Sequence, residues 1–216
     1  MYVGRIVSVG RSEDGRWCAA YRVSSRSFPN RTAVVGELKV SIVPKAGYET
    51  DIQKNPYIAY NCVRIVCNGG VAVVTNGSQT DPIAEKIAAG MPPRDALALS
   101  LLALDYEKDH LNTPRICAVA DRRGAGAGWL AVVRHDGMQV EQMDVSPGMF
   151  FYVATYEENR VTNAQGGSYR AMSAEDACGE ILGRGIFAER ENPVTAVAAF
   201  EHGSGFALAA LDAGSA

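Results

Sequence analysis

The stretch Tyr57-Ile-Ala-Tyr-Asn-Cys-Val-Arg-Ile-Val-Cys67, with Asn68-Gly-Gly70 and Val71-Ala-Val-Val-Thr75 behind it, decides the fold class of this chain. Residues 62–67 and 71–75 are almost unbroken runs of β-branched and apolar residues. Such runs predict strands at 57–67 and 71–75 that are covered on both faces. The Asn-Gly-Gly segment predicts a tight hairpin turn between them. A sheet of this kind requires packed layers on both of its sides.

Further strand-like runs lie on both sides of this hairpin. Each is short, rich in β-branched or aromatic residues, and bounded by Gly, Pro, Asn or Asp, which is the pattern of strands joined by turns. We predict strands at residues 2–9, 17–23 and 37–43 before the hairpin, and at 115–120, 128–134, 138–143, 150–156, 193–200 and 206–210 after it.

Helical patterns interrupt the strands. The first predicted helix is capped by Asp81 and begins at Pro82. The second covers 92–108, and leucines occupy so much of its surface that its middle is predicted to be buried. The third is opened by Ser173, with Asp176 completing a capping pattern. Strands, a helix pair, more strands and another helix predict an α+β fold, a four-layer αββα sandwich of two stacked sheets with helices outside.

The bulk composition is that of one globular domain over residues 1–216. Hydrophobic residues make up 47% and charged residues 21%, which is enough apolar material for a continuous core. The formal net charge of -3 provides no long-range attraction to nucleic acid or to an anionic membrane. Any site for an anion must therefore be local.

No targeting or membrane segment is predicted. Arg5 interrupts the apolar run at the N-terminus, and the apolar helix candidate at 96–104 is too short to cross a bilayer. The five cysteines form no pairs with metal-binding spacing, and we expect them to be reduced and mostly buried. We therefore expect a cytoplasmic protein.

Residues 21–31 read Tyr-Arg-Val-Ser-Ser-Arg-Ser-Phe-Pro-Asn-Arg around a proline-marked turn. Guanidinium groups offer paired donors to a phosphate, and hydroxyls or loop amides supply further hydrogen bonds. The segment is thus a candidate phosphate cradle. By composition alone, a solvated surface loop explains it equally well.

Two other polar segments are candidates for a site. Tyr60 and Asn61 lead into the apolar strand and point to opposite faces if the strand is regular. Asn76 and Ser78 lie in a loop before a helix whose free amides could face an anion, although capping explains Asp81 in that loop equally well. Ordinary strand aromatics and turn residues are the simpler interpretation of both segments.

The third cluster reads Leu-Asp-Tyr-Glu-Lys-Asp-His-Leu-Asn-Thr-Pro-Arg over residues 104–115. It brings acids, a phenol and bases together where a helix is expected to turn into a strand. Glu107 and Lys108 are therefore candidate proton carriers. A solvated helix end would accept the same charges, and Lys108 suits the dipole of a helix C-terminus.

These clusters occur within ordered blocks that resemble the archaeal-type IMP cyclohydrolases. The matching blocks are residues 1–5, 21–31, 55–61, 76–78 and 105–109, with weaker similarity at 154–157 and 193–196. The resemblance covers the whole chain, and its specific motifs are concentrated in the first half.

The resemblance implies an Ntn-hydrolase-like αββα fold and the last step of de novo purine biosynthesis. In that reaction 5-formamidoimidazole-4-carboxamide ribotide closes to IMP with loss of water. No cofactor is implied, neither metal nor folate, and the three scattered histidines provide no metal-type spacing. The expected partner is a small purine ribotide, with no nucleic acid or membrane. We also expect a homo-oligomer, with its state left open.

Members of the Ntn-hydrolase class that cleave amides use a Cys, Ser or Thr at the mature N-terminus. Met1 and Tyr2 provide no such nucleophile, so that mechanism would require an internal cut, for instance before Cys18 or Ser24. Ring closure requires no protein nucleophile, because the carboxamide nitrogen of the substrate attacks its own formyl group.

Motif and chemistry together give the following assignments. Tyr60 and Asn61 are assigned to the carboxamide and the developing oxyanion, and Glu107 and Lys108 to proton transfer. The residues assigned to the ribotide and its phosphate are Arg22, Ser24, Arg26, Asn30, Arg31, Asn76 and Ser78. Two alternatives stay open: another amidohydrolase of the same fold, or a paralogue that binds purine nucleotides without catalysis.

Overall fold

The computed structural model describes residues 1–214. The strands in chain order are β1 (Ile6–Arg11), β2 (Trp17–Ser24), β3 (Arg31–Val35), β4 (Lys39–Pro44), β5 (Tyr60–Val66), β6 (Val71–Thr75), β7 (Arg115–Asp121), β8 (Ala127–Arg134), β9 (Gly137–Met143), β10 (Met149–Ala154), β11 (Gly166–Ser168), β12 (Pro193–His202) and β13 (Gly205–Asp212). The α-helices are α1 (Asp51–Lys54), α2 (Thr80–Ala88), α3 (Pro93–Leu104) and α4 (Ala174–Gly183).

The strands form two antiparallel sheets. Sheet A has six strands in the order β11-β10-β1-β2-β12-β13, so it combines both ends of the chain. Sheet B has seven strands, β3 to β9, arranged in chain order. A meander such as sheet B places consecutive strands side by side, whereas sheet A depends on contacts between distant segments.

The two sheets pack face to face, and helices cover their outer faces. One apolar cluster lies between the sheets and contains residues of β1 and β2 together with residues of β5 to β8. A second cluster joins the outer face of sheet A to α4, and a third joins the outer face of sheet B to α2 and α3. The four predicted layers are therefore present, and the α+β prediction is confirmed.

The predicted turn between β5 and β6 is also confirmed. Cys67, Asn68 and Gly69 have φ values of 56°, 53° and 83°, the left-handed conformation that Asn and Gly tolerate best. A Cβ on Gly69 would lie 3.0 Å from the Cα of Gly205. The glycine is thus required by both the turn conformation and the close approach of another loop.

The first two predicted helices, which correspond to α2 and α3, differ from the prediction, and α1 was not predicted. α2 begins at Thr80, and the carboxylate of Asp81 binds the side chains of Asn61 and Arg64 instead of capping. α3 ends at Leu104, short of the expected 108, because Asp105 adopts a φ of 56° that a helix cannot continue through. Its middle is not sealed from water either, since Leu99 is 50% exposed.

The remaining predictions of caps, cysteines and strands are partly confirmed. At α4, the Ser173 side chain accepts a hydrogen bond from the amide of Asp176 at 3.1 Å, as predicted. All five cysteines are free and four are buried. β3 was not predicted, and β1 begins at Ile6 rather than at residue 2. Among residues 1–214, no helix combines the length and the apolar character that crossing a membrane demands.

Candidate active site

One cavity lies where chain segments from both sheets meet, and it encloses about 160 Å³. Its walls come from the residues just before β1, the end of β2 and the loop that follows, the segment before β5, the loop before β7 and the residues after β10. The residues that line it include Tyr2, Gly4, Arg5, Ser24, Arg26, Arg31, Glu107, Asp109, Thr113, Thr155 and Tyr156. Several loops that are distant in sequence thus form one polar site.

Arg31 is the most informative cation of this cavity. Its side chain lies at the start of β3, and the residue is only 4% exposed. Its Nε donates to the Phe28 carbonyl at 3.0 Å. No carboxylate of residues 1–214 lies within ion-pair distance of it. The terminal nitrogens of Arg31 are therefore available for an anionic ligand. Because a buried cation without a counter-ion is costly, binding such a ligand would be favourable.

Arg26 and Ser24 line the same side of the cavity. The guanidinium of Arg26 lies over the Tyr2 ring at 4.0 Å from its centroid, and its Nη2 is 3.7 Å from Oε2 of Glu191. Its side chain is 63% exposed, so it can move onto a ligand at little cost. The hydroxyl oxygen of Ser24 accepts a hydrogen bond from Nε of Arg22 at 2.9 Å. Its own proton stays available to a ligand.

A buried ion pair forms the back of the site. Arg5 donates to both carboxylate oxygens of Glu107, at 3.2 Å from Nη1 and 2.8 Å from Nη2. Its Nη1 also donates to the carbonyl of Asn76 at 3.0 Å. Burial alone would lower the pKa of Arg5, but the charge and hydrogen bonds of Glu107 raise it well above its ordinary value. Arg5 therefore stays cationic at the cavity wall.

The backbone before β1 fixes where Arg5 lies. Gly4 has a φ of 72°, and a Cβ there would lie 2.1 Å from the Thr155 hydroxyl oxygen. The same hydroxyl accepts a hydrogen bond from the Arg5 amide at 3.0 Å. Arg5 was not among the predicted site residues. The sequence contained one signal that could have identified it: Arg5 is a charged residue within an apolar run. A charged residue that is buried with such a run requires a partner.

A chain of hydrogen bonds occupies another wall. The Thr113 hydroxyl lies 2.8 Å from the Tyr156 hydroxyl and 2.7 Å from Oδ2 of Asp109. Oδ1 of Asp109 accepts from the amides of Leu111 and Thr113 at 3.1 and 2.9 Å. Burial raises the pKa of Tyr156. Asp109, Thr113 and Tyr156 were not among the predicted site residues, because no local pattern indicates that residues 113 and 156 meet.

Arg22, predicted to bind phosphate, lies elsewhere. Alternation along β2 directs Tyr21 and Val23 into the core between the sheets and Arg22 to the outer face of sheet A. The fully buried guanidinium donates to backbone carbonyls at the end of α4 and in the segment beyond it, at 2.9, 3.4, 2.6 and 3.2 Å, those of Leu182, Phe187, Arg190 and Glu191. Its donors are occupied, so the prediction for Arg22 is corrected to a structural role.

Asn76 and Asn61 also hold structure together. The buried Asn76 side chain donates to the Pro114 carbonyl at 2.9 Å and accepts from the Ile116 amide at 2.9 Å, which fixes the loop before β7. Asn61 donates to Asp81 of α2 on the outer face of sheet B, at 3.0 and 3.1 Å. Neither side chain reaches the cavity, since its amide group is committed to these neighbours.

The remaining assigned residues divide by position. Tyr60 packs against the core between the sheets, opposite in direction to Asn61 as predicted, and its hydroxyl is 2.5 Å from that of Tyr21. Lys108 is 58% exposed and pairs with Asp105. Of the predicted site residues, the cavity brings together Ser24, Arg26, Arg31 and Glu107, and its lining does not include Arg22, Asn30, Tyr60, Asn61, Asn76, Ser78 or Lys108.

The donor set of the cavity suits an anion and a polar ring. Arginines and hydroxyls line one side, and an ion pair and a phenol line the other. Within residues 1–214, no group of three or more His, Cys, Asp or Glu side chains is arranged to hold a metal ion. The arrangement can bind phosphate and move protons.

Comparisons with known proteins agree with this chemistry. A family model described as "IMP cyclohydrolase-like protein" matches residues 2–205. A relative named IMP cyclohydrolase from Methanosphaera stadtmanae is 52% identical, covering 93% of this chain and 94% of its own length. Relatives with the same name from Methanocella arvoryzae and Methanococcus maripaludis are 47% and 44% identical, covering 96% and 98% of this chain and 96% and 100% of their own lengths.

Proposed function

The chain belongs to the IMP cyclohydrolase-like family, and from that premise we propose that it closes the purine ring of 5-formamidoimidazole-4-carboxamide ribotide to give IMP and water. This makes it an enzyme of purine biosynthesis and a hydrolase of the class that forms cyclic amidines. The observation that carries the assignment to this cavity is Arg31, a buried cation without a carboxylate partner in residues 1–214.

The reaction defines what the cavity must provide. Nucleophile and electrophile are in one molecule, so holding the two substituents close and coplanar removes much of the barrier. An amide nitrogen is a weak nucleophile, so a base must take its proton as the new bond forms. The formyl oxygen gains negative charge at the same time and requires hydrogen-bond donors.

We assign the phosphate of the ribotide to Arg31, Arg26 and Ser24. Arg31 supplies a charge that no carboxylate of residues 1–214 neutralises, Ser24 supplies a hydroxyl proton, and Arg26 is free to close over the ligand from the rim. A phosphate held there directs the imidazole ring toward Arg5 at the back of the cavity. The cavity encloses less volume than a whole nucleotide requires, so the ribose extends toward the open rim.

We assign stabilisation of the formyl oxygen to Arg5. Its guanidinium stays charged, and Glu107 holds it in one orientation through two hydrogen bonds. This gives Glu107 a role that differs from the expected proton transfer, because both of its carboxylate oxygens already accept hydrogen bonds from Arg5. We propose that Glu107 orients Arg5 and that Lys108, paired with Asp105 at the surface, takes no part in catalysis.

A cut before Cys18, one of the two positions at which the amidohydrolase alternative could gain a nucleophile, has little support in this geometry. Cys18 lies inside β2 on the α4 side of sheet A, where burial raises the pKa of its thiol to about 12. A cut before it would interrupt β2, a central strand of sheet A. A nucleophile at position 18 would thus open onto the apolar core and not onto the cavity.

The proposal has further parts that need their own tests. We propose that residues 1–216 act as one domain, that the four layers are of the Ntn-hydrolase-like kind, and that the enzyme works in the cytoplasm as a homo-oligomer on a small ribotide. It requires neither metal nor folate.

An ultraviolet assay tests the function. Purified protein with the formylated ribotide and excess chelator, but without formate, ATP or folate, is expected to produce the absorbance of IMP. Folded protein that binds IMP and shows no turnover would favour the nucleotide-binding paralogue. Loss of turnover on adding chelator would overturn the metal-free part of the proposal.

A further inference from the structure

We propose that Tyr156, Thr113 and Asp109 form a proton relay that takes the carboxamide proton from the substrate and returns it to the departing water. This inference rests on the proposed ring closure and identifies the base that the reaction requires. All three residues line the cavity, and they reach it from two segments, the loop before β7 and the end of β10.

The hydrogen-bond pattern gives the relay a direction. Oδ2 of the Asp109 carboxylate can only accept, so the Thr113 hydroxyl must donate its single proton to it over 2.7 Å. The Thr113 oxygen is then an acceptor for the Tyr156 hydroxyl, 2.8 Å away. The protons of both hydroxyls therefore point toward Asp109, and the oxygen of Tyr156 is left as the acceptor that faces the cavity.

Neighbouring groups hold Asp109 and Tyr156 in the orientation that the relay requires. Two backbone amides hold Oδ1 of Asp109, which orients the carboxylate and leaves Oδ2 to Thr113. The Tyr156 ring stacks on Tyr2 with centroids 5.9 Å apart, so its hydroxyl has a fixed position. Asp109 forms no ion pair with a cation of the described residues 1–214, in contrast to Glu107, which is bound to Arg5.

In the first half of the reaction the relay takes a proton from the substrate. The carboxamide nitrogen forms a bond to the formyl carbon while its proton passes to the Tyr156 oxygen. The Tyr156 proton passes to Thr113, and the Thr113 proton passes to Asp109. The formyl oxygen becomes an oxyanion beside Arg5.

In the second half of the reaction the relay runs backwards. Asp109 returns its proton through Thr113 and Tyr156 to that oxygen. The carbon–oxygen bond then breaks, the formamide nitrogen forms the ring double bond and gives up its hydrogen, and the oxygen leaves as water with both protons. The protein ends in its starting state, so no co-reactant is consumed.

Variants at the two hydroxyls separate a relay from a merely structural contact. Thr113→Val keeps the shape of the side chain but breaks the relay, Thr113→Ser restores the hydroxyl, and Tyr156→Phe keeps the stack on Tyr2. The matched control is Tyr169→Phe, a buried tyrosine in the core beneath α4, away from the cavity. Each variant is measured for kcat, for IMP affinity by calorimetry and for its thermal midpoint.

We expect Thr113→Val and Tyr156→Phe each to lower kcat by about 10²-fold or more, the usual contribution of a positioned acid or base. IMP affinity is expected to stay within about threefold of wild type, because the relay acts on the proton and not on the phosphate. Thr113→Ser is expected to recover most of the rate, and Tyr169→Phe to leave it unchanged. The double variant of Thr113 and Tyr156 is expected to be no slower than the slower single variant, since both interrupt one path.

Two results would overturn the relay. One is a wild-type kcat in folded Thr113→Val or Tyr156→Phe protein, and the other is a Thr113→Ser variant as slow as Thr113→Val. If the wild type itself fails to convert the ribotide, the proposed function fails and the relay with it. An active wild type with fully active variants removes the relay alone.

Discussion

Arg22 and Arg31 belong to the same Arg/Ser-rich segment and are both buried, yet they lie in opposite settings. Arg22 is on the outer face of sheet A and donates to four backbone carbonyls and one hydroxyl. Arg31 is at the cavity and donates to one carbonyl within the part of the chain that the structure describes. The first guanidinium is saturated by the fold, and the second is left open for a ligand.

The contrast shows that burial alone does not identify a functional arginine. What distinguishes the two side chains is the balance between donors and acceptors around them. A cation surrounded by carbonyls closes the end of α4, where the last helical carbonyls lack partners of their own. A cation buried without acceptors is destabilising unless a ligand compensates for it. Substitutions at the two positions should therefore have opposite effects.

The largest expected effect is on the folding of an Arg22→Met variant. Methionine roughly fills the space but leaves the carbonyls beyond α4 without donors. Since hydrogen bonds to a charged group contribute about 1.5–3 kcal/mol each, we expect the free energy of unfolding to fall by at least about 3 kcal/mol. Urea unfolding followed by circular dichroism measures this loss. A variant as stable as wild type would show that the contacts with α4 contribute nothing.

Arg31→Met is expected to weaken ligand binding and not folding. Loss of a charge-assisted hydrogen bond to the phosphate is expected to cost about 1.5–3 kcal/mol, which is about a 10- to 150-fold rise in KM for the ribotide. The free energy of unfolding is expected to stay equal or to increase, because an unpaired buried charge has been removed. A destabilised Arg31→Met variant with an unchanged KM would reverse the comparison between the two arginines.

The smallest effect is expected at Ser24, which touches both regions. Its oxygen accepts a hydrogen bond from Nε of Arg22, and the residue lines the cavity. Ser24→Ala is expected to lower the free energy of unfolding by about 1 kcal/mol and to raise KM by a few-fold, each the value of a single hydrogen bond. Parallel measurements of urea unfolding and steady-state kinetics check both numbers. A change in only one of them would assign Ser24 to a single region.

Most of the layered fold was predictable because alternation and continuous apolar runs are local signals. The failures were at boundaries set by a special dihedral and at short elements that depend on pairing with a neighbour. Asp105 ends α3 through a positive φ within a sequence that otherwise favours helix. β3 escaped prediction because Arg31 to Val35 is a short run behind a polar loop, and its strand identity depends on pairing with β4.

The candidate site was predictable only where one segment supplies it. Ser24, Arg26 and Arg31 were found together because they share the 21–31 segment, and Glu107 was found through its own acidic cluster. Alternation along β2 already directs Arg22 away from the face of Tyr21 and Val23, so that error could have been avoided. The contacts of Arg5 with Glu107 and of Thr113 with Tyr156 join distant segments, and no single-sequence pattern encodes them.

The central claim is that Arg31 binds the phosphate of the ribotide, and calorimetry with a matched pair of ligands tests it most directly. IMP and inosine differ only in the phosphate, so the ratio of their dissociation constants isolates its contribution to binding. We predict that wild-type protein prefers IMP strongly and that Arg31→Met lowers this preference by at least about tenfold, with inosine affinity nearly unchanged. An Arg31→Met variant that retains the wild-type ratio would contradict the account.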